Sequence, residues 1–274
     1  MHNTSFKSVL SRYRRRAEDS QISRWIATDV ALAVWKFKGQ LRDTLWYLHI
    51  IKEHVRRGAP VLDFGCGYAF FSCLLAESGY KSYGLEVAAP QDSMMSDKDG
   101  SLPVQGDNSV RWLPIWTELL KEWRLNLNLY DGKNMPYDSN FFEAVVAIAV
   151  LEHIPVDEIN ICLREIWRVL KPGGLFFVFK TPRKGSYAEL LASRFGIGHH
   201  DRLLDQEWYG ENIENAGFNI LQRDVHDLIL RGGLRLQWLL NLLEPLLNIL
   251  EKWLLKTRLR RYAHHMMFIC QKPI

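Results

Sequence analysis

Apolar residues recur at helical spacing from Trp25 and Ile26 through Val30, Val34, Leu41, Leu45, Leu48 and Ile51, which predicts a helical segment over residues 17–57. Gly58-Ala59-Pro60 stops it. The pattern then changes to short apolar runs separated by glycine turns and amphipathic stretches. Val61-Leu62-Asp63-Phe64 reads as a buried strand, followed by a glycine-rich turn and a helix to Ser78 that Gly79 ends. A second strand is predicted over Tyr80 to Val87, and a loop over 88–109, where Asp, Ser, Gly and Pro dominate. Next come a helix at about 110–123, strands at 125–130 and Phe142 to Val150, a helix from Asp157 to Leu170, and a strand from Leu175 to Lys180. Asp205 is placed to cap a helix running to Ala216, and strands at about 218–225 and 265–271 close the series.

Strands alternating with helices imply an α/β fold with a parallel sheet covered on both faces. The 274 residues suffice for one such domain over 58–274, preceded by an N-terminal helical cap at 1–57. Ligands in these folds lie beyond the carboxyl ends of the strands. That singles out Asp63 to Phe70, Glu86, Asp131 and Ala149 to His153.

One segment breaks the alternation. Residues 233–258 predict a helix inserted between the last two strands. Its polar residues Gln237, Asn241, Glu244, Asn248 and Glu251 fall on one narrow stripe, and the rest is almost all apolar. Glu244, Pro245, Asn248, Glu251 and Lys252 interrupt it too often for a membrane span. Pro245 is expected to kink or break it. Trp238 and Trp253 stand near its ends, with Arg231 and Arg235 before and Lys256, Arg258, Arg260 and Arg261 after. Peripheral contact with a membrane or a lipid-like substrate fits this pattern. Packing against the N-terminal helix, or in a homodimer, fits it equally. In each case the helix is expected near the substrate site.

Charge sharpens the picture. Residues 1–57 hold twelve basic against five acidic side chains, 58–230 hold fifteen against twenty-four, and 231–274 hold eight against two. An acidic body between basic ends excludes a nucleic-acid-binding domain and leaves room for an anionic surface at the ends. Cys66, Cys73, Cys162 and Cys270 form no CxxC pair and no zinc spacing, so no metal site is expected, and reduced thiols suit a cytoplasmic location. Arg14-Arg15-Arg16 is not followed by the apolar run of a signal peptide.

The turn after the first strand carries candidate chemistry. Gly65-Cys66-Gly67 lets the backbone bend sharply and a ligand approach closely. Glu86, at the end of the next strand, can accept from ribose hydroxyls. A dinucleotide fingerprint has a small third residue, and here Phe70 stands there. Asp63, two residues before the first glycine, would repel a pyrophosphate and suits a cationic ligand. These two residues disfavour an oxidoreductase of the same architecture.

The series VLDFGCG, YGLEV, DGKNMPYDSNFFEAVVAIAVLEHI and LREIWRVLKPGGLFFVF resembles the class I methyltransferases that use S-adenosylmethionine (SAM), most of all their small-molecule branch. The resemblance covers roughly 58–225 and the last strand. It implies a Rossmann-like seven-stranded sheet whose antiparallel last strand inserts between strands five and six. It implies further that Asp63, Gly65, Cys66 and Gly67 hold the methionine end of SAM, Glu86 the ribose, and Asp131 with Gly132 the adenine. Ala149 and Val150 would line the floor beneath the sulfonium, and Lys171-Pro172-Gly173-Gly174 would be a structural turn. The gap from Glu86 to Asp131 is about twice the usual one, so 92–109 reads as an inserted loop near the cofactor mouth, and it is expected to roof the acceptor together with the N-terminal helix and 183–204.

The resemblance implies transfer of a methyl group to a small-molecule acceptor, with a sugar or lipid-like hydroxyl expected. Methyl transfer needs alignment, and a hydroxyl acceptor also needs a base. His153, His199 and His200 are the candidate bases. A non-catalytic SAM-binding partner subunit and a membrane-associated lipid or quinone methyltransferase are the alternatives.

Overall fold

The computed structural model describes residues 3–20, 38–87, 109–195, 203–229 and 237–274. Two helices, α1 (Asn3–Asp19) and α2 (Lys38–His54), precede the first strand. Then follow β1 (Pro60–Phe64), α3 (Phe70–Glu77), β2 (Lys81–Val87), α4 (Ser109–Leu120), β3 (Leu125–Tyr130), β4 (Phe142–Ile148), α5 (Ile159–Val169) and β5 (Leu170–Pro182). The chain continues through α6 (Tyr187–Phe195), α7 (Gln206–Asn215), β6 (Asn219–His226), α8 (Gln237–Leu254) and β7 (His265–Gln271). One seven-stranded sheet runs in the order β3-β2-β1-β4-β5-β7-β6. Pairs among β1 to β5 are parallel, and β7 is antiparallel to both β5 and β6. The Rossmann-like α/β expectation, with its inserted antiparallel strand, is met.

The central strands are buried on both faces because helices cover both. Val61, Val146, Phe177 and Phe179 face α1 to α4, while Leu62, Val145, Phe176 and Val178 face α5 and α7. The first of these layers begins earlier than the sequence pattern suggested. Phe6, Val9, Leu10, Tyr13 and Ala17 of α1 are buried, and Phe6 and Tyr13 meet Phe70 edge to face. The arginines of α1 occupy its other side, where Arg12 pairs with Glu77 and Arg16 with Glu122. Of the expected helix over 17–57, residues 21–37 lie outside the described residues.

Three expectations change in detail. Asp205 stands at the N-cap of α7 but makes no side-chain cap bond. The Lys171-Pro172-Gly173-Gly174 turn is absorbed into β5 as an irregularity, with left-handed Gly173 donating its N–H to the Lys272 carbonyl. Finally, α8 runs through Pro245 as one helix.

The orientation of α8 is the larger surprise. Its polar stripe, not its apolar face, meets the body. Glu251 is only 4% exposed and accepts the backbone N–H of Leu228, and Arg42 of α2 lies within ion-pair distance of both Glu244 and Glu251. The two carboxylates stand two turns apart and therefore share a face. The opposite face is open: Trp238, Ile249 and Trp253 are 66%, 68% and 63% exposed, and Leu242 and Leu246 are comparable.

Candidate active site

The glycine turn is held by four groups from three elements, β2, α4 and α1. Gly65 and Cys66 both donate backbone N–H to the Leu85 carbonyl of β2. Gly67 donates its N–H to Glu86 Oε2 at 2.8 Å and accepts from Trp116 Nε1 of α4 at 2.8 Å. Tyr13 of α1 donates its hydroxyl to the Tyr68 carbonyl. Gly65, Gly67 and Ala69 all have positive φ, so the turn is tightly wound before α3 begins. Trp116 and Tyr13 escaped the sequence reading, because nothing local marks a side chain that reaches a loop from a distant helix.

Close approaches explain why glycine occupies two positions. A methyl on Gly65 would lie 2.5 Å from Val150 Cγ2. One on Gly84 of β2 would lie 2.6 Å from Leu127 and 2.8 Å from the Cys66 sulfur. The turn therefore presses directly on the end of β4. In this way Asp63, Gly65, Cys66, Gly67, Glu86, Ala149 and Val150 are brought together at the carboxyl ends of β1, β2 and β4. Asp131 and Gly132 follow β3, next to the end of β2.

Asp63 is 3% exposed and accepts from Ser72 Oγ at 2.6 Å. Burial pushes its carboxyl up to about 7, against the Ser72 hydrogen bond that favours the ionised form, with nearby Glu86 adding to the rise. A cation beside it would relieve that cost, which fits the ammonium of SAM. Asp131 behaves differently. It is exposed, and its carboxylate accepts the backbone N–H groups of Lys133 and Asn134, which hold it below the usual carboxylate range. Its side chain winds the turn that presents Gly132.

Left-handed residues other than glycine recur along this edge: Ala149 after β4, Lys180 in the last turn of β5, and Asp227 after β6. Such backbone strain gathers at ligand sites. His153 ends a short 3₁₀ turn, Leu151–His153, that starts directly after Val150, so it stands beside the expected sulfonium floor. His199 and His200 lie outside the described residues, as does nearly all of the loop 92–109.

A second group assembles only in three dimensions. His226 ends β6 and His265 opens β7, where they pair in register. Asp227 Oδ2 takes the Nδ1 of His226 at 3.0 Å and of His265 at 2.6 Å. Burial above all holds the His265 imidazole down at about 3, so that ring is neutral. Because β7 is antiparallel, its first residue lies at the same end of the sheet as the glycine turn.

Residues 62–178 match the family model of a methyltransferase domain. The chain is 27% identical over 169 residues to a sterol 4-C-methyltransferase of Caenorhabditis elegans, covering 60% of this chain and 45% of that protein. It is 29% identical over 141 residues to a demethylmenaquinone methyltransferase of Staphylococcus haemolyticus, covering 50% of each. The chain thus spans half or less of the length of these relatives. Among solved structures, a SAM-dependent methyltransferase from Archaeoglobus fulgidus shares the fold, with a TM-score of 0.52 at 15% identity over 85% of this chain and 94% of that one.

Proposed function

We propose that this chain, whose residues 62–178 are a class I SAM-dependent methyltransferase domain, transfers a methyl group from SAM to a lipid-like small molecule met at a membrane surface. The observation that carries the lipid part is α8, turned with its carboxylates inward and its tryptophans outward. The occupant of that outward face is a bilayer surface. Exposed Lys252, Lys256, Arg258, Arg260 and Arg261 at one end of the helix complement anionic headgroups. The same helix touches α2, whose Trp46 and Tyr47 rings meet His226 at the carboxyl end of β6. No helix among the described residues is long and apolar enough to cross a membrane.

SAM supplies a methyl group already activated on a sulfonium. Asp63 binds its ammonium, Gly65, Cys66 and Gly67 pass close to its methionine end, and Glu86, preset by Gly67, takes the ribose. Gly132 meets the adenine at the turn that Asp131 winds. Ala149 and Val150 form the floor, and His153 takes the proton where the acceptor is a hydroxyl. The relatives' names include methylation at a sterol carbon, so carbon stands beside the hydroxyl expected from the sequence as the reacting atom.

The test is label transfer. Radiolabelled SAM is offered with total lipid extract of the producing cells in anionic vesicles, and separately with the water-soluble extract. Label in the lipid fraction is the expected result. Label in the aqueous extract alone would overturn the lipid acceptor. SAM binding with label in neither would identify a non-catalytic subunit.

A further inference from the structure

His226, Asp227 and His265 have no role in the transfer proposed above, yet two strands converge to join them. His226 ends β6 and His265 opens β7, and the two pair directly in the antiparallel register, so their side chains share a face. Asp227 follows with φ +59, which turns its carboxylate back onto that face. Its Oδ2 stands 3.0 Å from His226 Nδ1 and 2.6 Å from His265 Nδ1. Donor atoms of the three residues all lie within 4.8 Å of one another, and His226 is buried. A left-handed residue other than glycine persists where its surroundings require it. Here the requirement is one oxygen held between two imidazoles.

Two imidazole nitrogens and a carboxylate oxygen facing one point form a donor set for a first-row divalent cation. Magnesium and calcium prefer oxygen donors throughout. Around zinc, ligand bonds of about 2.0–2.2 Å set neighbouring donors about 3.3 Å apart in a tetrahedron. The contacts of 3.0 and 2.6 Å must therefore open by less than ~1 Å, within reach of side-chain torsion. The ion takes the place of the Nδ1 protons, so it needs no larger cavity. The charges nearby fit. Arg42 approaches Asp227 at Oδ1, 3.5 Å away, and divides its guanidinium among Asp43, Glu244 and Glu251 as well. Oδ2 is left to the ion while Oδ1 is held from outside, as ligating carboxylates commonly are. The buried Asp43 carboxylate adds a second negative charge beside the guanidinium. The rings are braced too. His265 packs on His264 with centroids 3.9 Å apart, and His226 packs on Trp46 at 5.4 Å and Tyr47 at 5.9 Å. With Nδ1 on the ion, the His226 ring proton sits at Nε2. That atom has no hydrogen-bond partner among the described residues and belongs to a ring flanked by two aromatics, which accept N–H weakly. The side chains of Asp227 and His265 stay 16% and 12% exposed, so water reaches the fourth position.

We propose that His226 Nδ1, His265 Nδ1 and Asp227 Oδ2 bind one divalent cation of the zinc class, with water as the fourth ligand, and that this ion is a structural clip. β6 is an edge strand of the sheet, and the chain between Asp227 and His265 carries α8. The ion closes that loop at its base. A clip of this kind stabilises by restricting the unfolded chain, and its binding free energy adds to that of folding. Cysteine spacing predicts no metal site, and nothing local reveals this one, because Asp227 and His265 are 38 residues apart.

The test needs no methyl acceptor, and its failure leaves the proposed transfer untouched. Tag-free protein, stripped with EDTA and desalted, is titrated with Zn²⁺ by calorimetry, with Mg²⁺ in parallel, and with Co²⁺ by absorbance. The expected results are one equivalent of Zn²⁺ at micromolar affinity or tighter, no heat from Mg²⁺, and a Tm several degrees higher with Zn²⁺. Bound Co²⁺ should show visible ligand-field bands and no near-ultraviolet thiolate charge-transfer band. Asp227→Asn suits the left-handed backbone, and His265→Gln keeps a polar side chain. Each should weaken Zn²⁺ by about 100-fold or more and lose the Tm rise, with SAM affinity retained as the sign of an intact fold. His199→Gln together with His200→Gln should leave Zn²⁺ uptake unchanged. Absence of stoichiometric uptake by the wild type overturns the site. So does a thiolate band, uptake unchanged in either single variant, or uptake lost with His199 and His200. Should a single variant not fold, the wild-type stoichiometry, the Co²⁺ spectrum and the His199–His200 variant decide.

Discussion

Gly65 and Val150 touch across the end of the sheet so closely that a methyl on the glycine would lie 2.5 Å from Val150 Cγ2. Through this contact the glycine turn after β1 and the residues after β4 form one surface. Gly65→Ala therefore brings both a left-handed backbone penalty of about 1–2 kcal/mol and a steric clash. Gly58 separates the two costs, because it has φ +85 and a methyl there would meet nothing within 4 Å. Gly58→Ala should lower Tm and leave SAM affinity intact. Gly65→Ala should lower Tm further and weaken SAM by about tenfold or more, and Val150→Ala should restore part of the loss. Calorimetric titration with SAM reads this, and equal SAM affinities in the two alanine variants would separate the Gly65–Val150 contact from cofactor binding.

Asp63 sets stability against binding. Its folded-state carboxyl sits at about 7, with burial the main cause. An unfolded aspartate titrates near ~3.9. The folded state therefore holds the proton over that window, and the stability from this group is full below about 4 and lost as pH rises through about 7. Asp63→Asn has no charge to desolvate. It should stabilise the free protein at pH 8, by a few kcal/mol at most since the Ser72 bond weakens, which a raised Tm reads, and should abolish SAM binding. In the wild type, SAM binding at pH 6 should release a proton, seen as a heat that changes with buffer ionisation enthalpy. A buffer-independent heat would remove the ammonium from Asp63.

The sequence carried the sheet, because central strands buried on both faces read as continuous apolar runs such as Val145 to Ile148 and Phe176 to Phe179. It also carried Asp63, Gly65, Gly67 and Glu86, whose meaning lies in spacing along one strand–turn–helix unit. Contacts between distant elements were not legible. Nothing near Trp116 or Tyr13 marks a partner in the glycine turn, and His226, Asp227 and His265 meet only because β7 returns between β5 and β6. The stripe on α8 was legible, but its direction was not: which face turns inward depends on Arg42, about two hundred residues earlier. Pairing Glu244 and the buried Glu251 with one guanidinium accompanies the inward turn of the polar stripe, against the apolar pattern.

Lys272 gives a purely structural prediction. It is 4% exposed, and its Nζ donates to Asn140 Oδ1 at 2.7 Å and to the carbonyls of Trp167 at 2.9 Å and Leu170 at 2.7 Å. All three ammonium protons are used, and the Trp167 ring lies over the charge at 3.8 Å. The last strand is thereby tied to the end of α5 and the start of β5. Lys272→Met keeps the apolar stem but strands three acceptors, and should cost about 3 kcal/mol or more by denaturant unfolding. SAM affinity of the folded variant should be unchanged. A loss under about 1 kcal/mol would mean that water replaces the ammonium.

The outward face of α8 yields the sharpest test of membrane contact. Trp238, Leu242, Leu246, Ile249 and Trp253 are spaced by 4, 4, 3 and 4 residues, so they form one stripe opposite Glu244 and Glu251. Each side chain that leaves water for the acyl boundary contributes on the order of 1 kcal/mol. Replacing Trp238, Ile249 and Trp253 together by Ser should then lower partitioning about 100-fold. The basic residues after the helix add an electrostatic part that salt screens. Wild-type protein should float with anionic vesicles at low salt and less in high salt, and the triple variant should stay at the bottom of the gradient. Its SAM affinity and Tm should hold, since the substituted side chains are solvent-exposed in the free protein. Arg42→Ala serves as the complementary variant: it leaves the apolar face intact and removes the cation that fixes it outward. It should lower stability, because Glu251 stays buried with one partner fewer. Two outcomes refute the membrane reading. One is a wild type that never floats. The other is a stable dimer in solution that the triple variant dissolves, which would give the face to a second copy of the chain.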